Sequence, residues 1–166
     1  MQTSGAFMRP VASSFPLQIC LSLSIYFCPA WWALTFSLLI YKGSVFPYPP
    51  TALGFEIATT FIIYFIQYWG VRLSKRGNLT EQTGTLGVGV VLLLMVVGGL
   101  IFYALGQTYV MRLDQGFSVT FLILDGLCII LAVAAMQGFA APPAPAAFAG
   151  PPPPARWQQA DKMKPE

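Results

Sequence analysis

The chain reads as an all-α membrane protein: a four-transmembrane-helix bundle followed by a disordered, proline-rich C-terminal tail. Two observations carry this reading. Four apolar stretches, near 17–41, 51–71, 85–105 and 117–137, each match the about 20 helical residues that cross about 30 Å of hydrocarbon. Hydrophobic residues make up 56% of the chain and charged residues only 9%, against the roughly 25% charged content of soluble domains. The 166 residues therefore divide into a short cytoplasmic N-terminal segment (1–16), one transmembrane domain (17–138) and a tail (139–166). No length is left for a separate catalytic domain.

The first stretch carries Pro29, which predicts a bend, because proline lacks an N–H and its ring clashes with the preceding turn. Its apolar run is too long for a secretory signal and lacks a small-residue cleavage site, so it should remain as an anchor. Trp31, Trp32, Tyr41, Tyr48, Tyr68 and Trp69 cluster toward span ends, where amphipathic rings sit at headgroup depth. Between the first two stretches, KGSVFPYPP (42–50) reads as a compact outer loop stiffened by proline.

The second stretch contains Gly54 and Ala58, and the fourth Ala134 and Gly138. Both are small-xxx-small pairs that let helix backbones approach closely in lipid. In the third, Gly87 and Gly98 lie eleven residues apart, about three turns and hence on one face. All six are expected at close helix contacts. The linker after the second stretch combines Arg72, Lys75 and Arg76 with Gly77 and Asn78 as helix-stop signals. These five are expected to meet cytosolic partners or anionic lipid headgroups, although ordinary topology-setting charge is the plainer reading.

Counting basic residues gives the orientation. Both tails and the middle linker hold seven Lys and Arg, the opposite side only Lys42 and Arg112, so the positive-inside rule places both termini in the cytoplasm. Asn78-Leu79-Thr80 is a glycosylation sequon, expected to stay unmodified on that side.

The chemistry is sparse. The chain has no histidine, which excludes imidazole bases and His-metal sites. Cys20, Cys28 and Cys128 fall in apolar spans without metal-ligand spacing and read as packing residues. No basic stripe suits nucleic acid; no catalytic residue, metal, cofactor or small-molecule substrate is expected. The polar groups that stand out are Glu56, Gln67 and Asp125 inside the spans. An ionisable group there costs about 2.5–3.5 kcal/mol, so each should face the bundle interior as an interhelical contact. No Lys or Arg is expected at that depth to pair with them. The alternative is a small ion-coupled transporter or channel subunit using Glu56 and Asp125, for which two lone acids without a repeat or broken-helix pair are a poor signature. After Gly138 the sequence APPAPAAFAGPPPPARWQQADKMKPE favours polyproline II and disorder. There Pro151, Pro154 and Arg156 match an SH3-ligand spacing.

Several short blocks resemble a known family. They are Tyr41-Lys42-Gly43 with Pro47-Tyr48-Pro49, Arg72-Leu73 with Arg76-Gly77-Asn78-Leu79-Thr80-Glu81, and Gln107-Thr108-Tyr109-Val110-Met111-Arg112-Leu113-Asp114. In this order, over 41–114, they resemble the transmembrane protein 17, 80 and 216 family. Glu56 looks like the acid that family places early in its second helix. Trp69 and Cys128 stand where similar members carry further acids; Asp125, one turn before Cys128, lies on about the same face. The resemblance implies a non-enzymatic membrane subunit of the tectonic, Meckel syndrome and B9 complex. That complex lies at the ciliary transition zone, among other membrane and cytosolic subunits, and restricts membrane-protein passage. A MARVEL-like or tetraspanin-like organiser shares the topology, but the outer loops are too short and cysteine-free for a tetraspanin.

Overall fold

The computed structural model describes residues 13–140. The N-terminal segment 1–12 and the tail 141–166, with its Pro151, Pro154 and Arg156 motif, lie outside the described residues. The described chain forms α1 (Phe15–Val45), α2 (Pro50–Leu79), α3 (Thr83–Ile101) and α4 (Arg112–Ala140). A π-helical turn over Phe102–Gly106 prolongs α3. All four helices are long and apolar enough to cross a membrane, the third counted with its π turn. They close into a ring in chain order, α1 against α2 and α4, and α3 against α2 and α4.

The helices outrun the apolar stretches. Helix α1 continues as helix through Pro29 and on to Val45, so the first loop shrinks to residues 46–49. Helix α2 likewise passes through Arg72–Asn78 and ends at Leu79. The apolar run marks only the hydrocarbon thickness, whereas a helix keeps winding through the headgroup layers on either side. The stop is made by Thr80 and Glu81 rather than by Gly77 and Asn78. Glu81 takes φ 53°, and Gln82 N–H bonds the Gly77 carbonyl at 3.0 Å. This is a Schellman closure with Glu81 in the left-handed position glycine usually takes.

Inside each helix, burial recurs in steps of three and four. Leu17, Leu21, Ser24, Cys28, Trp31, Thr35, Leu39 and Lys42 form the stripe of α1. Glu56, Thr60, Ile63, Gln67, Val71, Ser74 and Asn78 form that of α2. Asp114, Ser118, Phe121, Asp125, Cys128, Ala132 and Ala135 form that of α4. This is the spacing of left-handed bundle packing. Polar side chains are threaded among apolar ones along the axis, while Phe15, Tyr26, Leu105 and Ile130 stand outside, each more than two-thirds exposed. Only a hydrocarbon solvent makes such an apolar coat favourable.

Two expectations are corrected here. Trp31 is fully buried, stacked edge-on against Tyr103, because its register falls on the inward stripe. The six small residues are not where the backbones meet. Gly54, Ala58, Gly98, Ala134 and Gly138 are exposed, and a Cβ on Gly87 would lie 3.9 Å from the Met136 sulfur. The close approaches belong to Gly77, where a Cβ would sit 2.5 Å from the Leu86 nitrogen, and to Gly89, 2.2 Å from Ser74 Oγ. Spacing identifies a face, but not which face turns inward.

Candidate functional site

The helical register threads polar side chains down the bundle axis, and they gather into separate networks. At the end carrying the first and third connections, Lys42 of α1 is fully buried. Its ammonium donates to Asp114 Oδ2 at 2.6 Å and to Gln107 Oε1 at 2.8 Å. Thr35 Oγ1 approaches the other Asp114 oxygen at 3.5 Å. The sequence reading placed no Lys or Arg at such depth and assigned Lys42 to the outer loop. Continuation of α1 to Val45 carries Lys42 three residues past Leu39 on the same buried stripe, where it meets an acid that is also fully buried.

Beside this pair, Glu56 of α2 accepts from the Tyr48 hydroxyl, from the Thr108 N–H at 3.0 Å and from Thr108 Oγ1 at 2.8 Å. Its backbone carbonyl accepts from Tyr103 at 2.5 Å and from Thr60 at 2.8 Å. The Glu56 side chain thereby ties both loops of this face to the start of α2. Tyr48 lies in the loop itself; burial, and then the Glu56 hydrogen bond, push its phenol above the usual tyrosine range.

Eleven residues along α2, or about 16 Å at 1.5 Å per residue, Gln67 Nε2 donates to Asp125 Oδ1 and to Ser24 Oγ, both at 2.8 Å. Ser24 donates to the same Asp125 oxygen at 2.9 Å. Asp125 of α4 is thus clasped by α1 and α2. Between the Glu56 and Asp125 networks lies a mainly apolar layer of Trp31, Ile63, Val96, Leu100 and Phe121, in which the Trp31 indole N–H donates to Ser118 Oγ at 3.1 Å. At the far end, Asn78 accepts from the Ser14 N–H and donates to the Ser14 carbonyl, both at 3.0 Å, securing the start of α1. Cys20 and Cys128 meet across the α1–α4 seam as free thiols, and Cys28 is buried and free.

The five linker residues separate into two groups. Arg72 and Arg76 are exposed and Lys75 half-buried, open to contact. Gly77 and Asn78 are buried within the bundle, and their expected role in cytosolic contacts is corrected: Gly77 admits α3, and Asn78 holds α1. Among the described residues no group of three or more His, Cys, Asp or Glu is placed to hold a metal ion.

The residues that the sequence reading missed are Lys42, Gln107, Thr108 and Asp114, with Tyr48 assigned only to the interface. Two signals could have found them. Polar residues repeat at helical spacing along α1, α2 and α4, and the blocks carrying the family resemblance contain all five.

Fold and site together define a four-span integral membrane protein whose helices are fastened internally by buried polar and ionic contacts. A family model described as a predicted membrane protein matches residues 19–125. Transmembrane protein 216 of Danio rerio is 28% identical over 131 residues, covering 79% of this chain and 82% of that protein. The Bos taurus and Homo sapiens proteins of the same name are 28% and 27% identical over 127 residues, covering 76% of this chain and 90% and 88% of theirs. The chain belongs to this transmembrane protein 17 and 216 family. No solved structure matches it at a significant level.

Proposed function

We propose that the chain is a non-enzymatic membrane scaffold, a four-span subunit of a ciliary transition-zone complex of the tectonic, Meckel syndrome and B9 type. In this reading its outer helix faces hold neighbouring membrane subunits, and its cytosolic ends hold cytosolic ones. It supports cilium assembly and the membrane diffusion barrier as an immobile part of a larger fence, with both termini in the cytoplasm. The supporting observation is that Glu56 and Asp125 are each held by groups from other elements, Glu56 by Tyr48 and Thr108 and Asp125 by Gln67 and Ser24, and are parted by the mainly apolar Trp31–Phe121 layer. Such contacts between elements suit interhelical fastening better than a relay, which needs polar groups in continuous reach.

The test is a tagged full-length copy expressed in ciliated cells, with Glu56→Gln and Asp125→Asn variants in parallel. A ring at the cilium base, and co-purification with other transition-zone membrane subunits, is the expected result. Diffuse plasma-membrane or Golgi signal would refute the location. Ion-coupled flux in liposomes that the two variants abolish would replace scaffold with transport. Labelling of a cysteine introduced into the tail from outside intact cells would overturn the orientation.

A further inference from the structure

Two clefts lie against α1 and α2, and they share Ile25 as a common wall. The first, about 260 Å³, is largely apolar and is lined by Cys28, Pro29, Tyr64 and Val71 among others, with Gln67 at its side. The second, about 480 Å³, is lined by Trp69, Arg72, Leu73, Lys75 and Arg76, and no carboxylate borders it. Tyr68 lines the first cleft and carries the Arg72 guanidinium, which lines the second, 4.5 Å above its ring, so the cation–π pair lies where the two linings adjoin.

The depths fit a lipid. Arg72 lies seven residues before the end of α2, about 10 Å along the axis, which places it at the hydrocarbon boundary and Lys75 and Arg76 among the headgroups. Gln67 lies five residues deeper, about 7 Å, beneath the ester level and beside the upper part of an acyl chain. Gln67 lines the apolar cleft, and its amide oxygen is buried with no donor among the described residues. A buried acceptor is rarely left unsatisfied, and a water carried into the cleft with a lipid would supply the missing donor.

We propose that the joined clefts bind an anionic phospholipid, with one acyl chain lying along Pro29 and Tyr64 and a phosphate-bearing headgroup held by Arg72, Lys75 and Arg76. Three cations with no bordering acid match a headgroup that carries several negative charges, and arginine supplies forked donors suited to phosphate. The proposal needs the membrane assignment but no particular partner or location, so it stands or falls separately from the scaffold reading.

The experiment uses the purified full chain in phosphatidylcholine nanodiscs, with dioctanoyl phosphatidylinositol 4,5-bisphosphate as the probe, read by native mass spectrometry or fluorescence titration. Saturable binding is expected, at least tenfold tighter than dioctanoyl phosphatidylcholine and at least tenfold tighter than soluble inositol 1,4,5-trisphosphate. Each basic residue near an anionic lipid is worth about a fivefold change in affinity, so Arg72→Gln, Lys75→Gln and Arg76→Gln together should weaken binding about a hundredfold. Cys28→Trp, which fills the apolar cleft alone, should weaken the lipid at least tenfold and leave the trisphosphate unchanged. If the triple variant fails to fold, the exposed Arg76→Gln alone carries the test at about fivefold. Equal binding by phosphatidylcholine, equal binding by the soluble trisphosphate, or unchanged affinity in the basic variants would overturn the proposal.

Discussion

Replacing one member of the Lys42–Asp114 pair should be far more damaging than replacing both. The ammonium and carboxylate lie 2.6 Å apart and are fully buried. At an effective dielectric of about 20, that separation gives about 6 kcal/mol of attraction. Desolvation of the two ions costs several kcal/mol each, so the intact pair has little net effect on stability. Lys42→Met alone leaves Asp114 buried with only the long Thr35 contact, and Asp114→Leu leaves the ammonium with only Gln107. Each single change should therefore destabilise by about 3–5 kcal/mol, whereas the double variant should fall within about 1 kcal/mol of the parent or exceed it. The assay is reversible unfolding in bicelles by steric trapping, run as a double-mutant cycle at neutral pH. Coupling of about 3 kcal/mol or more is the expected result. Single effects that simply add, with coupling below about 0.5 kcal/mol, would refute the buried-ion reasoning.

Three further outcomes follow from the same geometry. Gly77→Ala places a Cβ 2.5 Å from the Leu86 backbone nitrogen and should cost about 3 kcal/mol in thermal unfolding, while Gly54→Ala, which meets nothing within 4 Å, should be neutral or stabilise by up to about 1 kcal/mol. At the middle of the bundle, Asp125→Asn keeps acceptors for Ser24 and Gln67 and should cost less than about 1 kcal/mol, against about 1–2 kcal/mol for Gln67→Leu in the same unfolding assay. Tyr48 has its phenol pushed upward by burial and by Glu56, so the neutral form is favoured in the folded state. Its contribution to stability should be constant below pH about 10 and fall as pH rises beyond it. Absorbance at 295 nm, compared with Tyr48→Phe, checks this, and a Tyr48 that ionises with free tyrosine would count against it.

The membrane-spanning fold was legible because the signal is collective: some twenty apolar residues in a row tolerate a few misleading positions. Glu56, Gln67 and Asp125 were legible as polar groups in greasy surroundings, and each is buried with partners from other elements. Lys42 and Asp114 were hidden by their position at span ends, where a charge ordinarily reaches water. Their burial depends on α1 winding past the apolar run and on the π turn at Phe102–Gly106 delivering Gln107 opposite them. Contact glycines were misplaced for a different reason. Gly54–Ala58 and Ala134–Gly138 satisfy the spacing rule as well as Gly70, Gly77 and Gly89 do. What decides between them is the polar stripe, which turns Gln67, Ser74 and Asn78 inward and takes the neighbouring glycines with them.

The tight joint between α2 and α3 bears on how the chain enters a bilayer at all. Helix α2 has a mean hydropathy of only 1.2 in its most apolar window, against 2.7 for α3, so the nascent second segment is a weak candidate for partitioning by itself. Its three-residue connection and the glycine seats at Gly77 and Gly89 let the greasier partner be delivered alongside it. Insertion as one hairpin instead of two successive rods is the expected consequence, so a lesion at that joint should lower membrane insertion in a cell-free translocation assay before it alters the finished protein.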